Sequence, residues 1–402
     1  MFTFLNKNTN ILVVIAIVLG VLFGSFLPEY ALKQQVVGQM FISFLKMLVV
    51  PLVFASIYVA IAGLGTLDQL KSIGLKALSL YVTTTALAVL AAIVAMNIFS
   101  IGEITSSANL AYEKASSVTT VSADSMVLSF IPTNVFHSLS NGEMMQIIVF
   151  AILLAIASLY LEEQHQSSML HFFSAISNAM LKIAEWIIAF TPLGVFSLIS
   201  YVIAKEGIDV ILGLWEYVLI VLGVLLFHAI VTLPSVFVIF TKKNPFNYLN
   251  AIKEVPLMAF STASSAATLP VSLSVSQSKG GVSKEVSSFV LPLGATVSMD
   301  GTAAYLTVAV LYIATLSGVA LDLSSQIMLG ITVVALSVGV AALPSASLVM
   351  MVVILNQLGL PVEYIAVIVA VDRILDMART SLNVTSDMFV AKMVDVSVQK
   401  KS

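Results

Sequence analysis

The segment VDRILDMARTSLNVTSD, residues 371–387, places several charges inside an otherwise apolar C-terminal region. At about 100° per residue of an α-helix, six polar side chains share one face over about four turns. They are Asp372, Asp376, Arg379, Thr380, Asn383 and Asp387. A charge buried in lipid costs several kcal/mol, so this face must line the inside of a helical bundle. A ladder of ion pairs that only joins helices is the alternative, but buried pairs stabilise poorly, and we predict a polar binding site.

The composition around this segment is that of an integral membrane protein. The 402 residues are 59% hydrophobic and 10% charged, with a mean hydropathy of +1.06. A soluble chain carries roughly 25% charged residues, so much of this surface must face lipid. The net charge of −3 offers no basic footprint for nucleic acid, and the absence of cysteine excludes disulfides and thiol chemistry. No phosphate-binding loop of the G-x-x-x-x-G-K-[ST] type occurs, which disfavours ATP-driven transport.

Uncharged runs of bilayer length predict eight membrane spans. They lie near residues 10–28, 37–64, 74–101, 127–160, 169–204, 208–240, 286–316 and 362–395. The first run could be a signal peptide, but no small-residue cleavage pattern follows it, so we interpret it as the first span.

Two further apolar stretches are interrupted by small, hydroxyl and proline residues. Residues 244–280 contain STASSAATLP at 261–270, and residues 323–360 contain SVGVAALPSAS at 337–347. Irregular backbone at membrane depth is tolerated only where it is packed in protein or lines a wet cavity. We therefore predict two re-entrant helical hairpins, with two ordinary helices packed through small residues as the alternative.

The lysines between the predicted spans indicate the orientation of the chain. Most of them fall on one side if the N-terminus is cytoplasmic and each hairpin returns to its own side, as the positive-inside rule requires. Both termini are then cytoplasmic, and the hairpins enter from opposite faces. Such a pair is typical of inverted-repeat transporters with a binding site near the midplane.

The polar side chains suit an acidic amino acid and a hard cation. The guanidinium of Arg379 can hold a carboxylate through two hydrogen bonds, and Asp376 can take an ammonium group. Asp300, within GATVSMDGTAAY at 294–305, is a further acid at membrane depth, and oxygen ligands of this kind imply sodium or protons. His228 stands alone in a span with no acid that has an obvious claim on it, so we expect it to be packed rather than to relay protons.

Three motifs resemble those of the dicarboxylate/amino acid:cation symporters, the glutamate transporter family. They are SSAATLP at 264–270, SMDGT at 298–302 and the D-x-x-x-D-M-x-R-T-x-x-N-V-x-x-D run at 372–387. The resemblance covers essentially the whole chain and implies an all-α homotrimer with eight transmembrane helices, two re-entrant hairpins and inverted repeats. It implies a scaffold at 1–66 and 104–204, and a transport domain at 67–103 and 205–402 that moves like an elevator.

The resemblance also implies roles for single residues. Asp376 would hold the substrate ammonium, Arg379 the side-chain carboxylate, and Asn383 the main carboxylate. The rest of the substrate shell, including both hairpin tips, would be Ala263, Ser264, Ser265, Met299, Thr302, Leu343, Pro344, Ser345, Ala346, Ser347 and Thr380.

For co-transported sodium, with protons as the other candidate, the resemblance implies three sites. The first would be Asp387 and Asn383 with the carbonyl of Gly294. The second would be Asp300 with Tyr81, Thr84 and Thr85, and the third would use backbone carbonyls near Thr296, Met299, Ser337, Val338 and Val340. Ser298 stands where many members have Asn, so a side-chain amide ligand is lost there.

The function expected from these residues is import of glutamate or aspartate across the cell (inner or plasma) membrane by a symporter that is not an enzyme. Within the family, C4-dicarboxylate carriers usually lack both acids that stand here as Asp376 and Asp387, and cystine carriers lack the last one. Cystine or C4-dicarboxylate symport is the alternative. An ion channel, or an intramembrane aspartyl protease built on Asp300 and Asp376, is a remote one.

Overall fold

The structure is a computed structural model that describes residues 2–63, 73–99, 131–208, 214–337 and 346–399. Every regular element within these ranges is helical. The first half contains α1 (Phe2–Phe26), α2 (Pro28–Leu32), α3 (Gln35–Ala62), α4 (Leu75–Phe99), α5 (Val135–Asn141), α6 (Met144–Ser158), α7 (Glu163–Ala189) and α8 (Thr191–Glu206).

The second half is more finely divided and carries the candidate site. It contains α9 (Leu214–Phe227), a π-helical turn (His228–Thr232), α10 (Leu233–Thr241), α11 (Pro245–Ile252), α12 (Glu254–Thr262), α13 (Ser265–Ser278) and α14 (Lys284–Val297). It continues with α15 (Asp300–Leu316), α16 (Leu323–Ser337), α17 (Ala346–Gln357), a 3-10 turn (Val362–Tyr364) and α18 (Ile365–Gln399).

Four stretches of the described chain are long and apolar enough to cross a bilayer. They are Pro28–Ala62, Leu75–Phe99, Leu214–Thr241 and Lys284–Leu316, and shorter apolar helices accompany them. The prediction of an all-helical membrane protein is confirmed at this level. The number of spans and the re-entrant course of the hairpins stay predictions.

Two predicted spans of the first half are not continuous helices. The span predicted at 169–204 is divided at Phe190, because Pro192 lies in the first turn of α8 and lacks the N–H that an unbroken helix would use. The described part of 127–160 is divided at Gly142, whose φ of 70° ends α5 in the left-handed conformation.

The span predicted at 286–316 is also divided, and this break positions the site. Helix α14 ends at Val297 and α15 begins at Asp300, with Ser298 extended between them. The apolar window of Lys284–Leu316 is entirely buried, whereas only 33% of that of Leu214–Thr241 is, and Ser298 at the break is 1% exposed. The break therefore lies where protein, not lipid, surrounds the polar groups that it frees.

The first predicted hairpin has its turn inside the polar string. Ala263 takes a φ of 49° and ends α12, and the hydroxyl of Ser264 then caps α13 by accepting from the N–H of Ala267 at 3.3 Å. Helices α12 and α13 pack against each other and on α18. In the second hairpin α16 and α17 are in contact, and their connection at 338–345 lies outside the described residues.

Helix α18 lies at the centre of the second half. Helices α9, α10, α12, α14 and α15 all pack on it, and α15 also packs along α4. Helices α1, α3, α6, α7 and α8 pack mainly among themselves. The two groups also meet, since α8 packs on α18 and α3 packs on α17. At the second of these contacts the ammonium of Lys46 donates to Asn356 Oδ1 at 3.0 Å.

Candidate functional site

The guanidinium of Arg379 is the largest charged group buried in the described interior, with 1% of the residue exposed. It donates to Asp376 Oδ1 at 2.7 Å and to the hydroxyl of Ser347 at 2.8 Å. Ser347 lies in the first turn of α17, so the start of this helix reaches the guanidinium. The polar face predicted on α18 is therefore enclosed by protein and lies beside α17.

A second acid and an aromatic ring complete the surroundings of Arg379. Asp372 Oδ1 lies 3.1 Å from a guanidinium nitrogen and accepts from the hydroxyl of Tyr305 at 2.7 Å. The ring of Tyr305 stacks under the guanidinium, with 3.8 Å from its centroid to the central carbon. Arg379 is thus fixed from three directions, while its Nε has no partner among the described residues.

Asn383 joins α18 to the start of α15. Its side-chain oxygen accepts from the N–H of Gly301 at 2.8 Å, and its amide donates to Thr302 Oγ1 at 3.1 Å and to Met299 Sδ at 3.5 Å. A Cβ on Gly301 would lie 2.7 Å from the carbonyl oxygen of Arg379, so glycine alone permits this approach of the two helices. The predicted polar shell is brought together here.

Other predicted substrate residues are placed with less detail. Thr380 donates to the carbonyl of Asp376 at 2.8 Å, which keeps its hydroxyl on its own helix. Ala263, Ser264 and Ser265 lie where α12 ends and α13 begins, and both helices pack on α18. Ala346 begins α17, whereas Leu343, Pro344 and Ser345 lie outside the described residues.

Asp387 is a buried acid whose hydrogen bonds are incomplete. It is 3% exposed, and its Oδ1 has no hydrogen-bond partner within the described chain. The hydroxyl of Ser298, at the break before α15, is also buried and unpaired there. A Cβ on Gly294 would collide with both Tyr81 Oη and Asp387 Oδ1, so the backbone of α14 is close to this acid. Buried oxygens without donors are the ligands a sodium ion would use.

Asp300 has the opposite surroundings. Its Oδ1 accepts from Thr85 Oγ1 at 2.6 Å and from Thr84 Oγ1 at 3.3 Å. Its Oδ2 accepts from Ser386 Oγ at 2.6 Å and lies 3.2 Å from His228 Nε2. The expectation that no acid claims His228 was wrong, because α9 and α15 lie side by side and bring the two residues together.

The hydroxyls of the remaining predicted cation ligands that the structure describes donate to backbone carbonyls. The hydroxyl of Tyr81, grouped with Asp300 by the resemblance, donates to the carbonyl of Val290 at 2.9 Å. Thr296 donates to the carbonyl of its own helix at Leu293, and Ser337 to that at Val334. Val338 and Val340 lie outside the described residues.

Sequence reasoning missed three partners in this site: Tyr305, Ser386 and His228. Ser386 directly precedes Asp387, and Tyr305 follows SMDGT by one turn, so their positions beside known motifs were a usable signal. Nothing in the sequence near His228 pointed to Asp300, because their contact depends on how two separate helices pack.

Known proteins are similar to this chain over most of its length. The model of the sodium:dicarboxylate symporter family matches residues 10–397. A proton/sodium-glutamate symport protein of Bacillus caldotenax is 33% identical over 387 residues, which are 94% of this chain and 91% of the relative. A proton/glutamate-aspartate symporter of Escherichia coli (strain K12) is 32% identical over 399 residues, 95% of this chain and 91% of the relative.

A more distant animal relative extends the same similarity. An excitatory amino acid transporter of Caenorhabditis elegans is 31% identical over 449 aligned residues, which cover 98% of this chain and 88% of the relative. The chain belongs to the sodium:dicarboxylate symporter family. It is a transporter and not an enzyme.

Proposed function

We propose that this member of the sodium:dicarboxylate symporter family imports glutamate or aspartate together with sodium ions or protons. The observation that carries the proposal is the buried pair of Arg379 and Asp376, with the nitrogen and oxygen 2.7 Å apart beside the second hairpin. The names of the relatives, glutamate symport proteins and glutamate-aspartate symporters, support the same substrate class.

An acidic amino acid can take over both members of this pair. Its side-chain carboxylate would accept two hydrogen bonds from Arg379, and its ammonium would replace the guanidinium at Asp376. Asp372 and Tyr305 hold Arg379 from the other side, so the guanidinium need not move when Asp376 changes partner. Asn383 and the turn of the first hairpin would receive the main carboxylate.

Coupling to cations follows from charge. The substrate carries a net charge of −1, and an interior negative by about 100 mV opposes its entry by about 2.3 kcal/mol. One cation only cancels this charge, so uphill import needs at least two. We assign one cation to Asp387, Ser298 and the backbone near Gly294, where buried oxygens have no described donor.

The transport cycle we propose is an elevator movement within a homotrimer. The scaffold would be residues 1–66 and 104–204, and the mobile domain residues 67–103 and 205–402, with both termini cytoplasmic. The mutual packing of α1, α3, α6, α7 and α8, and the packing of α9, α10 and α12–α15 on α18, support this division. The tip of the second hairpin, through Ser347 on Arg379, would close over the substrate.

The test is uptake of radiolabelled aspartate and glutamate into proteoliposomes under separately imposed sodium and pH gradients. Arg379→Ala should abolish uptake of both, because the carboxylate loses its partner, while a neutral amino acid could still enter. Arg379→Lys is the matched control, since it keeps the charge and loses the planar fork, and we expect strongly reduced uptake.

Undiminished aspartate uptake by Arg379→Ala would refute the assigned role. Uptake that proceeds equally without any cation gradient would refute symport. Cystine and succinate in the same panel separate the two alternative substrate classes from the acidic amino acids.

A further inference from the structure

No sequence motif indicates that His228 is a partner of Asp300. We propose that His228 takes the place of a cation at Asp300, so that this acid is a fixed structural group and the chain has one cation site fewer than its motifs imply. The inference rests on the proposed cation coupling and concerns how many cations the chain binds. It is carried by the contact of His228 Nε2 with Asp300 Oδ2 at 3.2 Å, between two fully buried side chains.

The donors around Asp300 fill the acceptor positions on the side of His228. A carboxylate offers about four lone-pair positions, two on each oxygen. Ser386 and His228 take those on Oδ2, and Thr85 takes one on Oδ1. The single hydroxyl hydrogen of Thr84 is shared between Oδ1 at 3.3 Å and the carbonyl of Tyr81 at 3.1 Å. A cation could bind Oδ2 only by displacing one of its two donors.

Of these donors, the imidazole is the one that cannot also serve as a ligand. A hydroxyl can turn a lone pair toward a cation and donate its hydrogen elsewhere, so Thr84, Thr85 and Ser386 are compatible with a sodium site. Because an ionised carboxylate only accepts, we assign the hydrogen to Nε2 of His228. An N–H facing the carboxylate has no lone pair to offer and excludes a cation from that side.

The backbone around His228 fixes the imidazole in this position. His228 is the first residue of a π-helical turn, and its carbonyl accepts from the N–H of Leu233. Pro234 lies in the first turn of the next helix and supplies no N–H, which accounts for the widened turn. Such turns are rare and occur frequently at functional sites.

Thermal unfolding of the purified protein in sodium chloride, with choline chloride at equal ionic strength as reference, tests the proposal. His228→Ala leaves the carboxylate with an open acceptor and space for an ion. We expect this variant to have a lower Tm than the wild type in choline and a larger rise in Tm on addition of sodium, because an added ion binds only the folded state. Val224→Ala, one turn earlier on α9 and also buried, is the control for a cavity alone, with no larger sodium effect.

Equal sodium-dependent rises in Tm for the wild type and His228→Ala would overturn the proposal. Asp300→Asn gives an answer even if His228→Ala does not fold. With His228 in place, Asp300 binds no cation, so the sodium concentration for half-maximal stabilisation should equal that of the wild type. A clear loss of sodium stabilisation in Asp300→Asn would show a native cation at Asp300 and would also overturn the proposal.

These measurements do not depend on transport. Failure of aspartate uptake would therefore refute the proposed function without deciding the role of His228. Where uptake is measured, His228→Ala should need more sodium ions per aspartate than the wild type, as read from the potential at which net flux stops.

Discussion

Two buried aspartates, Asp300 and Asp387, lie on neighbouring helices and yet have contrasting surroundings. Four side chains with donor groups lie within hydrogen-bond distance of Asp300, whereas Oδ1 of Asp387 has no partner in the described chain. A buried acceptor without a donor is costly, and proteins keep one where a ligand will satisfy it. From this contrast we infer that Asp300 has a structural role, whereas Asp387 binds a cation.

The strongest way to break this comparison is Asp387→Asn. The substitution keeps the volume and removes the charge that a cation would balance. Substitution of residues that support the ligands of an ion site lowers affinity by about 10–100-fold. Loss of a direct ligand should lower the sodium affinity by at least as much. Sodium-driven aspartate uptake should fall accordingly in proteoliposomes, while the order of preference among substrates is kept. An unaltered sodium titration would contradict the role given to Asp387.

A glycine substitution offers a more selective break. Gly294→Ala places a methyl group against Tyr81 Oη and Asp387 Oδ1. It should therefore block the approach of a cation to Asp387 without contacting Asp300. We expect a weaker effect than for Asp387→Asn, about tenfold in the sodium concentration that half-saturates uptake, because the carboxylate stays and neighbours can shift.

Gly223→Ala is the matched control for this change. Gly223 lies in helix α9, and nothing is within 4 Å of the position of its added Cβ. Its sodium dependence should equal that of the wild type. An equal loss in both variants would mean that the methyl group acts through the helix backbone and not through Asp387.

A pair of serine substitutions sharpens the comparison. Ser298→Ala removes a buried hydroxyl beside Asp387 and should raise the sodium requirement several-fold with little change in stability. Ser386→Ala removes one of the four donors to Asp300 and should lower the free energy of unfolding by about 1–3 kcal/mol, with the sodium requirement unchanged. Thermal unfolding and sodium titration of uptake measure both quantities, and exchanged outcomes would reverse the assignment of the two acids.

The smallest expected effect concerns a third aspartate, Asp322, which is exposed to water and serves as a reference for the two buried aspartates. Hydrogen bonds from the hydroxyls of Ser325 and Ser324, and from the N–H of Ser325, lower the pKa of Asp322 to about 2, at the start of α16. A pKa lowered by folding gives stability that is present above the unfolded value and is lost as the pH falls from about 4 toward 2. NMR titration of the carboxyl carbon should give a midpoint near 2, and Asp322→Ala should weaken the acid sensitivity slightly. A midpoint at the ordinary pKa of an aspartate would contradict the hydrogen bonds given to Asp322.

Part of the fold could be predicted from hydropathy and from the residues that cap or break helices. The turn of the first hairpin at Ala263 and Ser264 falls inside the polar string that predicted it, because a run of small and hydroxyl residues favours a capped turn. The break at Phe190 was missed although Pro192 was visible, since uninterrupted hydropathy outweighed a single proline. The break after Val297 was missed because no proline or charge run marks it.

The candidate site was predicted where its residues share one helix. Helical periodicity placed Asp376, Arg379 and Asn383 on one face, and the structure brings their partners to that face. The contact between His228 and Asp300 could not be predicted in this way, because periodicity describes one helix and not the packing of two. Likewise, only the packed structure distinguishes an acid with four donors from an acid with a free oxygen.

The break between α14 and α15 gives these two acids opposite electrostatic settings. Asp300 is the first residue of α15, at the amino end, where aligned peptide dipoles sum to a partial positive charge that favours a carboxylate. Asp387 lies against Gly294 in the last turn of α14, at the carboxyl end, where the partial charge is negative and favours a cation. A single break in a buried helix therefore gives one helix end that favours an anion and another that favours a cation, within the same span.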